Sequence, residues 1–301
     1  NFASIDTLSN GTVIVAGWDS NSLNSNLLVQ LLQPNGLELG NPINIFSRTK
    51  GVLETGLLDY SIRPNITRLT EEKYVISWAD SQKNFAKVLN GNNELIHNYD
   101  SGNLGYTSQN FSSVALQNGN LFFSWIDETS GNLSALILDS NLNEVSPGEI
   151  GIDTGLEGGD GYYQQVTQLS NNHVAIVYPK NQNDIYCKII DASGNVVSQR
   201  ITVEAENGVN RYASIASMSN DTFVVSYSTY SDSQTAYDLY FQIFDNQGNS
   251  LNKALVNDLS NNQDQSRVVN TPDGFFLSYR DNNDFFAQRF DLEGNEIGSV
   301  L

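Results

Sequence analysis

The sequence is poor in the residues that build disulfide frameworks and transition-metal sites. It contains a single cysteine, Cys187, and only two histidines, His97 and His173, among 301 residues. One cysteine excludes an intramolecular disulfide. Its apolar neighbours predict a buried, unreactive thiol, because a reactive thiolate needs an exposed, electropositive setting. Two histidines exclude a metal site that is built on several imidazole groups.

The chain also lacks long apolar runs and an N-terminal leader. No stretch approaches the roughly 20 apolar residues of a membrane-spanning helix, so membrane insertion is not expected. The N-terminus lacks the pattern of a signal peptide, and the chain begins at Asn1 rather than at methionine. These features are typical of a processed form or of a segment of a longer protein. As an isolated module it is expected to be monomeric.

Positive charge is scarce. Fifteen Lys and Arg residues stand against 34 Asp and Glu residues, which gives a formal net charge of −19. Such a surface repels phosphate backbones and anionic lipid, so nucleic acid is not an expected partner. An acidic surface keeps an exported protein soluble; alternatively, clustered carboxylates bind cations such as Ca²⁺. The composition therefore indicates no certain cofactor and leaves Ca²⁺ as the cation to consider.

An aromatic residue at the end of an apolar, strand-like run recurs about every 50 residues. A small residue precedes five of the six aromatics, which predicts that another part of the chain approaches closely there. The runs are apolar at nearly every position, as expected for strands whose two sheet faces are both covered. The six aromatic residues are Trp18, Trp78, Trp125, Tyr178, Tyr227 and Tyr279.

Turn sequences flank these runs. A turn with residues such as Asn10-Gly11 precedes each run and predicts a hairpin with a weaker first strand. A third strand ends in a tight turn of the form Asp245-Asn246-Gln247-Gly248-Asn249, in which Asp bonds the backbone and Gly takes the left-handed position. Copies one to three diverge from this form. The third strands are predicted at Leu27–Leu32, Phe85–Leu89, Leu133–Leu138, Ile185–Ile190, Leu239–Phe244 and Phe285–Phe290.

This pattern predicts an all-β fold. Four antiparallel strands in each of six copies, with no helical pattern between them, indicate a six-bladed β-propeller with four antiparallel strands per blade. We predict a single propeller over residues 1–301. The predicted blades are approximately residues 1–50, 51–104, 105–158, 159–208, 209–262 and 263–301.

The candidate binding residues lie near the loops that join the second strand to the third and one blade to the next, because these loops vary most. Three arginines near the starts of inner strands are expected to converge at the channel mouth, where they can capture a carboxylate. The alternative is that they pair with nearby acids such as Asp59 or Asp264. The predicted ligand-binding residues are Arg63, Asn65, Asp80, Asp127, Tyr163, Arg211, Tyr212, Arg267 and Asp281.

Acids follow the repeated aromatics, for example Asp80, Asp127 and Asp281. One interpretation is a ring of carboxylates that binds Ca²⁺ or the hydroxyl groups of a sugar. The other is that these acids stabilise turns and recur because the fold repeats. The aromatics are either sugar platforms or packing between blades. The sequence favours a turn role for the acids and packing between blades for the aromatics.

A catalytic function would need a carboxylate pair, and Asp80 with Asp127 is the best candidate for a propeller glycosidase. Equivalent acids in the other copies indicate a repeat feature instead. The sequence contains no sialidase-type Asp box, no nucleophile elbow, no phosphate loop and no Asp-x-Asp-x-Asp-Gly calcium loop. The expectation is therefore that the protein is not an enzyme.

The blade consensus is Phe223-Val224-Val225-Ser226-Tyr227 followed by Phe241-Gln242-Ile243-Phe244-Asp245-x-x-Gly248-Asn249. It resembles repeats of very large secreted bacterial proteins, including adhesins of the RTX class, over essentially the whole chain. The resemblance implies an extracellular or cell-surface module without catalytic activity, although the Gly-Gly-x-Gly-x-Asp repeat of that class is absent. The predicted function is binding of an extracellular glycan or protein, with a propeller glycosidase or a ligand-free spacer as alternatives.

Overall fold

The structure is a computed structural model. It describes residues 3–20, 24–49, 64–80, 83–102, 108–127, 129–145, 148–156, 163–181, 183–205, 208–230, 236–257, 262–282 and 284–301. Within these ranges only the backbone is described for Ser20, Asn24, Arg48, Thr49, Asp80, Ser108, Gln109, Asn110 and Asn257.

All regular structure in these ranges is β-strand, and none of the described residues forms a helix that could cross a membrane. The strands form six four-stranded sheets, and each sheet contains four strands that are consecutive in the chain. The first sheet is β1 (Ala3–Thr7), β2 (Val13–Ser20), β3 (Asn24–Leu32) and β4 (Glu38–Thr49). The second is β5 (Asn65–Arg68), β6 (Lys73–Asp80), β7 (Lys83–Asn90) and β8 (Leu95–Asp100). The third is β9 (Ser108–Ala115), β10 (Leu121–Asp127), β11 (Asn132–Leu138) and β12 (Ile150–Asp153).

The remaining three sheets repeat this order. The fourth is β13 (Gln165–Gln168), β14 (Val174–Lys180), β15 (Asp184–Ile190) and β16 (Ile201–Glu204). The fifth is β17 (Val209–Ser217), β18 (Thr222–Tyr230), β19 (Tyr237–Asp245) and β20 (Ser250–Asn257). The sixth is β21 (Gln263–Thr271), β22 (Gly274–Asp281), β23 (Asp284–Asp291) and β24 (Glu296–Ile297).

The predicted fold class is confirmed. Six sheets of four antiparallel strands, taken in chain order, are the blades of a six-bladed β-propeller. The six predicted third strands correspond to β3, β7, β11, β15, β19 and β23.

The chain divides into two compact units, which are described separately. The first consists of residues 1–129 and 134–149, and the second of residues 130–133 and 150–301. The first two sheets lie in the first unit, and the last three lie in the second. The organisation of all 301 residues as one domain stays a prediction.

The second strands β6, β10, β14 and β18 bury side chains on both of their faces, as the continuous apolar runs predict, whereas buried and less buried residues alternate in β2 and β22. In the first unit, Ile76 of β6 packs into a core with the first sheet, and its neighbour Val75 packs into a core with the third. In the second unit, Val225 of β18 packs against the fourth sheet, and Val224 packs against the sixth. Because both faces of β6 and β18 are apolar, the second and fifth sheets are each stabilised by two neighbouring sheets within their unit.

The turn after the third strand has one geometry in most copies. The Asp245 carboxylate accepts the amide N–H groups of Gln247 and Asn249 at 2.9 and 2.8 Å, and Gly248 has a φ of 87°. Asp191 and Asp291 make the same pair of bonds. The divergence expected in the early copies is smaller than predicted, because Asn90 and Asp139 also accept two amide N–H groups. At their turns the left-handed residues are Asn93 and Leu142.

Candidate functional site

The repeated aromatic residues are packing residues. Trp78, Tyr178 and Tyr227 have no exposed surface. The Tyr178 hydroxyl donates to the Asp153 carboxylate of the preceding sheet at 2.6 Å, and the Tyr227 hydroxyl donates to Glu204 in the same way at 3.2 Å. The packing interpretation of these residues is therefore confirmed.

Two of the small residues before the aromatics, Ser77 and Ser226, also have a structural explanation. The Ser77 hydroxyl lies 3.1 Å from the Ser113 hydroxyl, and the Ser226 hydroxyl lies 3.0 Å from that of Ser266. Both bonds join a second strand to the first strand of the next sheet. A larger side chain would separate the two sheets, because Ser77, Ser226 and Ser266 are fully buried.

Two of the acids after the aromatics have local partners. Asp127 is buried, and its Oδ1 accepts the Thr129 amide N–H at 2.8 Å. Asp184 accepts the Tyr186 hydroxyl at 2.9 Å. The proposed carboxylate pair of Asp80 with Asp127 lies partly outside the described residues, because only the backbone of Asp80 is described.

The other predicted site residues fall in different places. Arg63 lies outside the described residues. Asn65 belongs to the first unit, where its Oδ1 accepts the hydroxyls of Thr67 and Ser113 at 3.2 and 3.1 Å. Asn65 thus joins two neighbouring sheets. The remaining predicted residues belong to the second unit and are Tyr163, Arg211, Tyr212, Arg267 and Asp281.

A β-bulge in β17 holds Tyr212 in a strained backbone conformation. The pairing with β18 shifts register between Arg211 and Ser214, and Tyr212 has a φ of 58°. Such a conformation costs a residue other than glycine about 1–3 kcal/mol. β21 has the corresponding bulge, with Gln265 at a φ of 54°. The pairing of β9 with β10 shifts register in the same way, so the bulge recurs with the fold. Bulges re-aim side chains and are over-represented beside active sites, and the fifth sheet differs in placing a tyrosine at the bulge, which makes Tyr212 a candidate site residue.

The two bulges are bonded to each other. The Ser266 hydroxyl donates to the carbonyl oxygen of Tyr212 at 3.2 Å, and the Val268 amide donates to the Ser214 hydroxyl at 3.2 Å. Both hydroxyls are buried. The backbone at Tyr212 is therefore fixed between the fifth and sixth sheets.

An arginine–aspartate pair belongs to the same end of the sixth sheet. Arg280 of β22 lies opposite Asp264 of β21. Its Nε and Nη2 atoms donate to the two carboxylate oxygens at 2.8 and 2.7 Å, and the exposed fractions of the two side chains are 34% and 10%. Two parallel charge-assisted bonds fix the orientation of both groups.

These charges act on the Tyr212 phenol. Burial raises the pKa of Tyr212 most, the Asp264 carboxylate raises it further, and the guanidinium groups of Arg211 and Arg280 lower it. The net effect is a raised pKa, so the phenol stays protonated at neutral pH. The site therefore combines a proton donor, a carboxylate and two guanidinium groups.

The expected roles of the arginines change in two ways. Asp264 forms a two-bond pair with Arg280, which is not one of the three arginines singled out in the sequence. Arg211 and Arg267 do not occupy equivalent positions, because Ser214 is the β17 residue that corresponds to Arg267. Arg267 donates to the carbonyl oxygen of Ser266 at 2.9 Å.

Sequence reasoning missed Asp264 and Arg280 as a site pair. A signal was present, because Arg280 immediately follows the repeated aromatic and is the only basic residue at that position. The corresponding residues of the other copies are Asp19, Ala79, Ile126, Pro179 and Ser228.

Across the part of the chain that the structure describes, no group of three or more His, Cys, Asp or Glu residues is arranged to hold a metal ion. The possibility of bound Ca²⁺ stays a prediction.

The chain matches no protein-family model and no curated protein sequence. Solved structures share its fold. A polysaccharide lyase of family PL25, an ulvan lyase bound to -[GlcA(1-4)Rha3S]-, has a TM-score of 0.62 at 10% identity and covers 98% of this chain and 82% of its own. A protein of unknown function from Bacteroides caccae has a TM-score of 0.55 at 13% identity and covers 95% and 92%. The Hadza microbial sialidase Hz136 has a TM-score of 0.53 at 9% identity and covers 97% and 66%.

These comparisons correct the prediction that the protein is not an enzyme, because a polysaccharide lyase and a sialidase are built on this fold. That prediction rested on the repeated acids, and repetition at one position does not exclude a site at residues that are not repeated. Repeated residues serve the packing of every sheet, whereas a reaction needs residues in which one sheet departs from the others, as Arg280 does. The resemblance to RTX-class repeats stays a prediction. At these identities the comparisons establish that the chain has the β-propeller fold.

Proposed function

We propose that the protein is a carbohydrate-active enzyme that cleaves a polysaccharide at the Tyr212 site, which consists of Tyr212, Arg211, Asp264 and Arg280. The observation that supports the proposal is the strained bulge at Tyr212, whose phenol has a raised pKa and is under the influence of the Asp264 carboxylate and of the Arg211 and Arg280 guanidinium groups. The polysaccharide lyase and the sialidase of the same fold support the reaction class.

Each group has a role in breaking a glycosidic bond. The Tyr212 phenol donates a proton to the leaving oxygen. The guanidinium of Arg211 binds an acidic group of the sugar, because arginine matches the geometry of carboxylate and sulfate. Asp264, which Arg280 holds in place, accepts the proton that leaves the attacking water or the sugar ring.

The proposal includes the setting of the protein. A glycan, rather than a protein, is the proposed partner, and the proposed location is extracellular or at the cell surface. The acidic composition and the resemblance to repeats of large secreted bacterial proteins support this location.

Replacement of Tyr212 by phenylalanine tests the proposal, because it removes only the hydroxyl. The full chain is incubated with neutral, uronate-containing and sulfated polysaccharides, and both new reducing ends and the absorbance of unsaturated products are followed. We expect wild-type turnover on at least one polysaccharide and a loss of about 10²- to 10⁴-fold in Tyr212→Phe. Tyr99→Phe removes a phenol hydroxyl from β8 in the first unit and is the matched control.

The two parts of the proposal fail in different ways. Equal turnover in Tyr212→Phe and wild type would contradict the site. Absence of turnover on every polysaccharide would contradict the function.

A further inference from the structure

We propose that the loop end of the sixth sheet holds a calcium ion, bound by residues other than those of the proposed polysaccharide-cleaving site. Three oxygen-bearing side chains form a row across β21, β22 and β23, because Gln263 lies opposite Asp281 and Asp281 lies opposite Asp284. Residues directly opposite each other share a sheet face, with Cβ atoms about 4.5–5.5 Å apart. Two carboxylates and one carboxamide therefore meet on one face.

Part of this row is buried and lacks partners. Gln263 has no exposed surface, and neither its amide nitrogen nor its oxygen has a hydrogen-bond partner among the described residues. Asp281 is 6% exposed, and its buried Oδ1 also lacks a partner among them. Buried polar groups are almost always hydrogen-bonded or bound to an ion, and a buried carboxylate needs a positive charge.

The fifth sheet shows what the same position looks like when no ligand is needed. Asn210 and Thr229 are paired there, and Thr229 lies two residues after the repeated aromatic, as Asp281 does. The Thr229 hydroxyl donates to Asn210 Oδ1 at 2.8 Å, and the Asn210 amide donates to the carbonyl oxygen of Asn183. The Asn210 amide and the Thr229 hydroxyl of this neutral pair thus have partners, whereas the Gln263 amide and Asp281 Oδ1 have none among the described residues.

The row also carries an uncompensated repulsion. Asp281 and Asp284 are like charges directly opposite each other, an arrangement that destabilises a sheet. The adjacent cation, Arg280, points to the opposite face and is bound to Asp264. The described side chains of the row therefore supply negative charge and oxygen atoms but no cation.

Ca²⁺ has the chemistry that this row needs. It takes about six to eight oxygen ligands from carboxylates, amide carbonyls and water, in a flexible geometry. Asp281 Oδ1, the Asp284 carboxylate and Gln263 Oε1 are the proposed side-chain ligands, and water completes the shell. Mg²⁺ is a poorer fit, because it demands a near-ideal octahedron and gives up its water reluctantly.

Calcium binding is tested on the full chain after treatment with a chelator and dialysis. Titration calorimetry with CaCl₂ should show one saturable site. The melting temperature followed by circular dichroism should rise by about 5–10 °C at a hundredfold excess over Kd. MgCl₂ at equal concentration controls for general screening of the net charge of −19 and should give a smaller rise.

Asp281→Asn separates a calcium ligand from a merely structural residue. We expect the variant to lose the calcium-dependent rise, while its metal-free melting temperature equals or exceeds that of metal-free wild type, because one of two opposed charges is gone. The exposed Asp284→Asn should bind calcium at least about tenfold more weakly. Asp127→Asn is the matched control in the third sheet and should keep the full rise, because Asp127 serves the turn at Thr129.

Three results would overturn the site. They are an unchanged wild-type melting temperature with no heat of binding, a calcium-dependent rise that survives in Asp281→Asn, and equal effects of Mg²⁺ and Ca²⁺ on both proteins. Polysaccharide turnover is not a readout, so this proposal and the proposed function fail separately.

Discussion

Replacing Asp153 by asparagine removes the charge at the centre of a hydrogen-bonded cluster in the second unit. The Asp153 carboxylate accepts bonds from the Tyr178 hydroxyl at 2.6 Å, from Arg200 at 2.9 and 2.8 Å, from Lys180 at 3.2 Å and from the Thr154 amide at 2.8 Å. Its side chain is 6% exposed. Asparagine has the same shape but only one acceptor oxygen, so the substitution tests charge and hydrogen bonding rather than packing.

The expected loss follows from the partners. In the variant, the buried Tyr178 hydroxyl donates to a neutral amide oxygen instead of a carboxylate. This weaker hydrogen bond lowers the free energy of unfolding by about 1 kcal/mol. Lys180 is 14% exposed, and removal of its counter-charge adds about 1–2 kcal/mol, less than for a fully buried pair. Arg200 is 39% exposed, so solvent screening limits its share to about 0.5 kcal/mol. We expect a decrease of about 3 kcal/mol in the free energy of unfolding.

The loss should depend on pH. Burial raises the pKa of Asp153, but bonds from Arg200, Tyr178, Thr154 and Lys180 outweigh burial and hold this pKa well below its usual range. A carboxyl group whose pKa is lower in the folded than in the unfolded protein stabilises the folded state. The full stabilisation is present at pH values above the unfolded pKa of about 3.9, and it is lost as the pH falls through the folded pKa. The gap between wild type and Asp153→Asn should be constant from about pH 5 to 8 and should shrink below about pH 4.

The assay must report on the second unit. All three tryptophans lie in the first unit, so circular dichroism is preferable to tryptophan fluorescence. At pH 7 the urea midpoint of Asp153→Asn should fall by about 1–2 M. Asp19→Asn, at an exposed acid, is the control and should unfold as wild type does. Equal midpoints at pH 7, or a gap that persists undiminished at pH 3, would refute the reasoning.

Two further predictions concern the backbone and the thiol. Gly274→Ala should cost about 3 kcal/mol or more, because φ is 155° and the new Cβ would lie 2.0 Å from the carbonyl oxygen of Phe290. Gly36→Ala has a φ of 84° and no atom within 4 Å, so it should cost only about 1 kcal/mol; equal thermal shifts would contradict this steric argument. Burial raises the pKa of the fully buried Cys187 thiol, so a thiol reagent at pH 8 should react only as fast as the protein unfolds; rapid labelling of native protein would show that the thiol is accessible.

The fold was predictable because its determinants repeat and act locally. The run Phe223-Val224-Val225 is apolar on both faces and lies in a sheet with a neighbour on each side. Asp245 and Gly248 form a turn from interactions within five residues. The pattern also indicated packing roles for Trp78 and Tyr227, and burial confirms them.

The candidate site was less predictable because it depends on contacts that no local pattern encodes. Tyr212 matters because a bulge re-aims it, and the bulge arises from the pairing register between β17 and β18. Asp264 and Arg280 are 16 residues apart in the chain and meet only after β21 and β22 have paired. The sequence singled out Tyr212 and Arg211 by their types, but their surroundings had to come from the structure.

The turn that begins at Asp291 takes both of its side-chain-to-backbone bonds from the next four residues. Each repeat of about 50 residues thus contains the residues that form this turn, and the turn does not depend on neighbouring repeats. Duplication or loss of such a gene segment would change the protein by one whole sheet. Mutations at the opposite ends of the strands would change the side chains of the candidate site without changing these turns. Selection for a new reaction and selection for a foldable chain would then act on separate ends of the same repeat.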